Sequence, residues 1–138
     1  MLLRLLWPLA CLAACGDPSP KTDPHAEAWS AQYDAGRAAF AQSRFDEASA
    51  AFTTALTLAK HFDPDDPRYG RATHQLAQLH VLQGELVEAE SLYVDLRERE
   101  SSLPAHSPAK ILTLDKLGDT YRLRKRLAEA AALYAQVL

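Results

Sequence analysis

The sequence predicts an all-α protein, a solenoid of three helical hairpins with about six helices, and three observations carry that prediction. Alanine and leucine supply 25 and 22 of the 138 residues, whereas valine and isoleucine together supply 5. Strands draw on β-branched and aromatic residues, helices on Ala, Leu, Glu, Gln, Arg and Lys. Glycine, which hairpin turns between strands would need, occurs only 5 times. Finally, Arg44-Phe45-Asp46-Glu47-Ala48, Glu85-Leu86-Val87-Glu88-Ala89 and Arg126-Leu127-Ala128-Glu129-Ala130 recur at a constant spacing of 41 residues. The length suits one domain, 24% charged residues exclude a membrane-spanning bundle, and 8 prolines are too few for a disordered or collagen-like chain. A net charge of −3 gives no reason to expect nucleic-acid binding, which calls for a basic excess.

In chain order, the first element is a targeting segment. Met1-Leu2-Leu3-Arg4 is a short basic start, Leu5 to Leu12 an apolar run interrupted by Pro8, and Leu12-Ala13-Ala14-Cys15 a small-residue cleavage site. An uncleaved anchor would need roughly 20 apolar residues. This run stops at Cys15, before Gly16-Asp17-Pro18-Ser19-Pro20. The Leu12-Ala13-Ala14-Cys15 quartet resembles the lipobox of bacterial lipoproteins; the alternative is an ordinary signal peptide with an incidental cysteine. The resemblance implies a signal peptide over 1–14, cleavage before Cys15, and lipidation of Cys15 on its thiol and its new amino group. Cys11 does not compete, because Pro8 stands where a lipobox wants an aliphatic residue. With Cys11 removed and Cys15 acylated, no thiol remains for a disulfide, a metal cluster or nucleophilic catalysis. Several acyl chains give stable membrane attachment, each buried methylene contributing about 0.8 kcal/mol. In that family aspartate after the cysteine favours the inner membrane, and Gly16 occupies the place here, so the expected location is the outer membrane, facing the periplasm. Residues 15–24, with Pro18, Pro20 and Pro24, read as an extended tether.

Residues 25–138 carry the repeats, at about 25–65, 66–106 and 107–138. Pro67 and Pro108, preceded by Asp66 and Ser107, mark a capped helix start in the second and third units, and Asp23-Pro24 does so in the first. Leu76, Leu79, His80 and Gln83 share one helical face. Gly84, able to take a left-handed conformation, then permits the turn into Leu86, Ala89, Leu92, Tyr93 and Leu96. Other columns keep the period: Gly36, Ala77 and Gly118 are small, and Phe52, Tyr93 and Tyr134 are aromatic. Small residues let the paired helices approach, and the aromatic is expected to fill the gap between neighbouring hairpins. One hairpin cannot bury both its faces, so the units must stack.

Leu117-Gly118-Asp119-Thr120-Tyr121, followed by Leu127, Ala130 and Tyr134, resembles the tetratricopeptide repeat. The long period, with Asp65-Asp66-Pro67 and Gly84-Glu85-Leu86-Val87-Glu88-Ala89-Glu90, is similar to the kinesin-light-chain type. The resemblance implies binding of a protein or peptide partner on a concave face made by the first helix of each hairpin. Carried over, the outward-pointing positions are Tyr33, Arg37 and Phe40, then Arg71, His74 and Gln78, then Asp115, Asp119 and Arg122. Aromatic residues and arginines are common anchors of such contacts. The clamp by which some members hold a terminal carboxylate is not matched, since its positions read Tyr33, Arg37, Gln75, Leu112 and Lys116.

An enzyme is not expected. Among the five histidines none lies in an HExxH pattern, and there is no phosphate loop or nucleophile elbow. No metal or cofactor is expected either: Asp115 and Asp119 could pair on one helix, but Lys116 and Arg122 explain them as solvated ion pairs. His80, in the column of Tyr121, is expected to pack between helices. The basic cluster Arg122, Arg124, Lys125 and Arg126 is either a solvated turn at a helix C-terminus or a contact for acidic phospholipid or an acidic partner. At the carboxyl end, Leu133, Tyr134, Val137 and Leu138 form an apolar stripe with no polar capping helix, which predicts self-association or further repeats. The functional expectation is a lipid-anchored envelope adaptor; the alternative is an accessory or regulatory subunit of a periplasmic enzyme such as a peptidase or cell-wall hydrolase.

Overall fold

Each hairpin begins where an acidic or hydroxyl residue meets a proline. In the structure, a computed structural model that describes residues 22–138, these pairs open α1 (Pro24–Ala41), α3 (Pro67–Gln83) and α5 (Pro108–Leu123). Proline is placed in the first turn, where its missing N–H is no loss. Asp23 and Asp66 accept hydrogen bonds from the N–H groups of His25 and Arg68, both at 2.9 Å. Ser107 holds the cap position in extended conformation but makes no side-chain cap bond, so its contribution is backbone geometry alone. The second helices are α2 (Phe45–Ala59), α4 (Leu86–Arg99) and α6 (Leu127–Val137). A short 3-10 turn over Glu100–Ser102, which the periodicity did not foreshadow, extends α4. The lipidation residue Cys15 and most of the tether lie outside the described residues.

The three inner turns are copies of one another. Ser43, Gly84 and Lys125, each 41 residues from the next, have φ values of 58°, 80° and 61°. In each, the following N–H reaches back to a carbonyl five residues earlier: Arg44 to Ala39, Glu85 to His80, Arg126 to Tyr121, at 2.8–2.9 Å. This is the Schellman closure of a helix, and it needs a left-handed residue. Gly84 adopts that conformation freely, whereas the Cβ atoms of Ser43 and Lys125 are crowded. Both side chains are exposed, so nothing is lost by removing them. Ser43→Gly and Lys125→Gly are each expected to raise the unfolding free energy by about 0.5–1 kcal/mol in urea titrations.

The helices pack in chain order, each against the next, and α3 also touches α5. Two apolar clusters run through the stack. One joins Trp29, Tyr33, Phe52, Leu76 and Leu79; the other joins Ala77, Tyr93, Leu114, Leu117, Tyr121 and Leu133. Units one and two share the first, units two and three the second, so the buried surface is continuous although no single hairpin encloses it. The aromatic column does not simply fill gaps between hairpins. It seats over the small column of its own hairpin: a Cβ on Gly36 would come within 2.6 Å of the Phe52 ring, and one on Gly118 within 2.7 Å of Tyr134. His80 is partly buried, and its Nδ1 lies 2.5 Å from Glu85 Oε2, which ties the end of α3 to the start of α4.

Candidate functional site

The first helices α3 and α5 touch along only part of their length, and Tyr93 of α4 lines the space left between them. Helical periodicity sets what they present. From α3 come His74, Gln75, Gln78 and Val81; from α5 come Leu112, Lys116, Asp119 and Leu123, rows of residues three or four apart. Together with Thr120 and Arg122 they line a groove of about 380 Å³. Four of the nine positions expected to face a partner therefore meet here: His74, Gln78, Asp119 and Arg122.

The groove's charges are settled by its burial. His74 sits on the floor, with Nε2 3.3 Å from the Thr113 hydroxyl and its ring 5.6 Å from that of Tyr93. Desolvation, with the Lys116 ammonium adding to it, pushes the His74 imidazole down to about 4, so it is neutral at physiological pH. Burial, helped by Asp119, pushes the Tyr93 hydroxyl up to about 12. Asp119 accepts a hydrogen bond from the Tyr134 hydroxyl at 2.7 Å and lies 3.6 Å from Arg122. Its carboxylate is thus committed to α6 and to its own helix. Among the described residues no group of three or more His, Cys, Asp or Glu could hold a metal ion.

The other expected positions lie elsewhere. Tyr33 is buried, a correction to its outward placement: it stacks on Trp29 at 4.7 Å and tilts against Phe52 at 5.9 Å. The first unit has this large aromatic pair to bury, and Arg71 covers both rings at 5.7 and 5.0 Å. Phe40 is half-buried with its edge on Phe45, Arg37 is exposed, and Asp115 stands beside Lys116 at 4.0 Å. The basic cluster is largely internal. Arg124 and Arg126 both pair with Glu90 of α4, Arg126 also pairs with Glu129, and its guanidinium lies 4.4 Å over Tyr121. These cations bind the third unit to the second, which leaves Lys125 and Arg122 as the exposed members.

A family model described as tetratricopeptide repeat matches residues 26–99, more than half of the chain, and another of the same description matches 111–138. The chain belongs to the tetratricopeptide repeat family. Among solved structures it is similar to the kinesin light chain of Podosopora anserina with nearly identical TPR-like repeats, at 21% identity and a TM-score of 0.72, over 79% of this chain and 53% of that one. The chain thus spans about half the length of that structure. A point variant of the same protein gives 21% identity and the same TM-score, over 79% and 52%. The TPR domain of Arabidopsis FLU is similar at 18% identity and a TM-score of 0.71, over 83% of this chain and 94% of that one. No curated protein matches it.

Several groove residues of this tetratricopeptide repeat were not singled out as partner contacts in the sequence. Gln75, Leu112 and Lys116 entered as failed positions of a carboxylate clamp, Lys116 also as an ion-pair partner, Tyr93 as a member of the aromatic column, and Val81 and Leu123 not at all. The signal for them is the spacing of Leu112, Lys116, Asp119 and Leu123, which marks one continuous face of α5. Tyr93 has no such signal, because it belongs to a second helix and lines the space left between α3 and α5.

Proposed function

We propose that the chain is an adaptor that holds an extended segment of a protein partner in the groove between α3 and α5, and that Cys15 fixes it by lipid to a bacterial membrane. The observation that carries the binding role is the groove itself, where apolar surface from Val81, Tyr93, Leu112 and Leu123 meets the cations of Lys116 and Arg122. With His74 neutral, the groove lining carries the two cations Lys116 and Arg122 against the single carboxylate of Asp119, a net positive charge that suits an apolar residue flanked by carboxylates. The Leu12-Ala13-Ala14-Cys15 motif supports the anchor, and Gly16 after it supports the outer membrane, facing the periplasm. No catalysis is assigned to it.

The test is crosslinking and pull-down from membranes with the full-length protein. Lys116→Glu combined with Arg122→Glu should lose a captured partner that the wild type enriches, with an unchanged helical spectrum. Identical enrichment in both would exclude the groove as the binding surface. Labelled palmitate should enter the wild type and not Cys15→Ser; equal labelling of the two would remove the anchor.

A further inference from the structure

Beside the groove, and sharing His74 and Leu112 with it, lies a second cavity between the loop before α3, the end of α4 and the start of α5. Its origin is a reversal in the repeat. In the first unit two columns hold Trp29 and Ala59, large and small; in the second unit the same columns hold Gly70 and Glu100. A Cβ on Gly70 would lie 3.6 Å from Glu100 Oε1 and 3.7 Å from Leu96, with the cavity beyond. The glycine leaves room that Trp29 fills in unit one, and a carboxylate stands beside that room.

Glu100 is unusual there. The residue is 7% exposed, one carboxylate oxygen has no hydrogen-bond partner, and it forms no salt bridge with any described residue. A buried carboxylate without a donor is costly, and burial pushes the Glu100 carboxyl up, against the opposing influence of Thr113 and Lys110. Two guanidiniums, those of Arg71 and Arg99, also line the cavity but lie over aromatic rings and do not pair with Glu100, and Arg99 Nε is itself buried without a hydrogen-bond partner. Arg99 lies 4.1 Å over the Tyr69 ring, Arg71 covers Trp29 and Tyr33, and the Lys110 ammonium donates to the carbonyls of Ser101 and Leu103 at 3.4 and 3.3 Å. The cavity walls are apolar where Tyr69, Leu96, Leu103 and Leu112 line them, and Asp65 adds negative charge from the loop.

We propose that this cavity is a subsite for a lysine side chain of the bound partner, its aliphatic stem against Tyr69, Leu96 and Leu103 and its ammonium donating to Glu100. A long apolar stem ending in a compact cation matches apolar walls beside an unpartnered carboxylate. The subsite deepens the partner-binding reading and rests on it, because the lysine would belong to the segment that continues into the groove through His74 and Leu112.

The experiment is titration of the full chain with Nα-acetyl-lysine amide, followed by amide chemical shifts, with Nα-acetyl-glutamine amide as the neutral comparison. Saturable shifts around Gly70, Glu100 and Leu103 are expected for the lysine probe, weakened at least about tenfold for the glutamine probe and for Glu100→Gln, as loss of a charged hydrogen bond implies. Gly70→Leu, which keeps the carboxylate and fills the cavity, should abolish the shifts and guards against a misfolded Glu100→Gln. Absence of saturation in the wild type, or equal binding by the glutamine probe or by Gly70→Leu, overturns the subsite. Partner capture that still depends on Lys116 and Arg122 after such a result leaves the groove reading standing; loss of both dependences removes both.

Discussion

Gly36→Val is expected to destabilise the protein by about 3 kcal/mol, the upper end of what overpacking a core costs. A Cβ at position 36 would lie 2.6, 2.7 and 3.0 Å from three carbons of the Phe52 ring. That ring cannot yield: Phe52 is fully buried and Tyr33 sits against it at 5.9 Å, so either the two helices part or Phe52 leaves its rotamer. The equivalent change in the third unit, Gly118→Val, meets the Tyr134 ring at 2.7 Å, but Tyr134 is only half-buried. It can rotate toward solvent at the cost of its hydrogen bond to Asp119, a smaller loss of about 1 kcal/mol on top of the strain. Urea unfolding of both variants checks the order. Equal losses at the two sites would show that ring burial does not decide the cost. Ala77, opposite Tyr93 in unit two, shows that the column takes a methyl group where the hairpin is spaced for it.

Acidification is expected to weaken the fold through His74. The folded state holds the imidazole neutral down to about 4, whereas the unfolded chain takes up a proton near 6.5, so the unfolded state binds more protons between those values. The contribution is intact above pH 6.5 and is lost as pH falls toward 4, reaching about 3 kcal/mol. The groups facing His74 are Tyr93 from α4 and Thr113 and Lys116 from α5; of these only Lys116 is charged in that range, and it reinforces the effect. Glu100 acts in the opposite sense, since its raised carboxyl takes up a proton more readily in the folded state and gains stability as pH falls. His74→Gln should therefore flatten the fall in urea-derived stability between pH 6.5 and 4. A variant with the wild-type pH profile would show that His74 is protonated freely in the folded protein.

The repeat was legible because its columns are set by backbone geometry. The left-handed turn at Gly84, the cap at Asp66 and the close approach at Gly36 and Gly118 each demand a residue type at a fixed place, and the 41-residue spacing repeats the demand. Exceptions read less well. Ser43 and Lys125 adopt the turn without being glycine, because the Schellman bonds to Ala39 and Tyr121 hold them there. The candidate site was half legible. His74, Gln78, Asp119 and Arg122 are among the positions that the tetratricopeptide resemblance turns outward, while Tyr33, in the same column as His74, is buried, because Trp29, Phe52 and Arg71 close over it.

The sequence by itself determined an all-helical chain of three hairpins, where the first helix of each hairpin starts, and which residues let paired helices touch. These are local requirements, answered within one or two turns of chain. Only the tertiary structure decided which charges are free. Arg124 and Arg126 look like a basic patch along the chain yet close on Glu90 of the preceding unit, and Glu100 looks like a surface glutamate yet is buried beside the space that Gly70 leaves. Both outcomes depend on residues far apart in the chain, 34 and 36 positions for the two arginines and their glutamate, brought within a few ångströms. Pairing at that distance is set by how the hairpins stack, which no single repeat encodes.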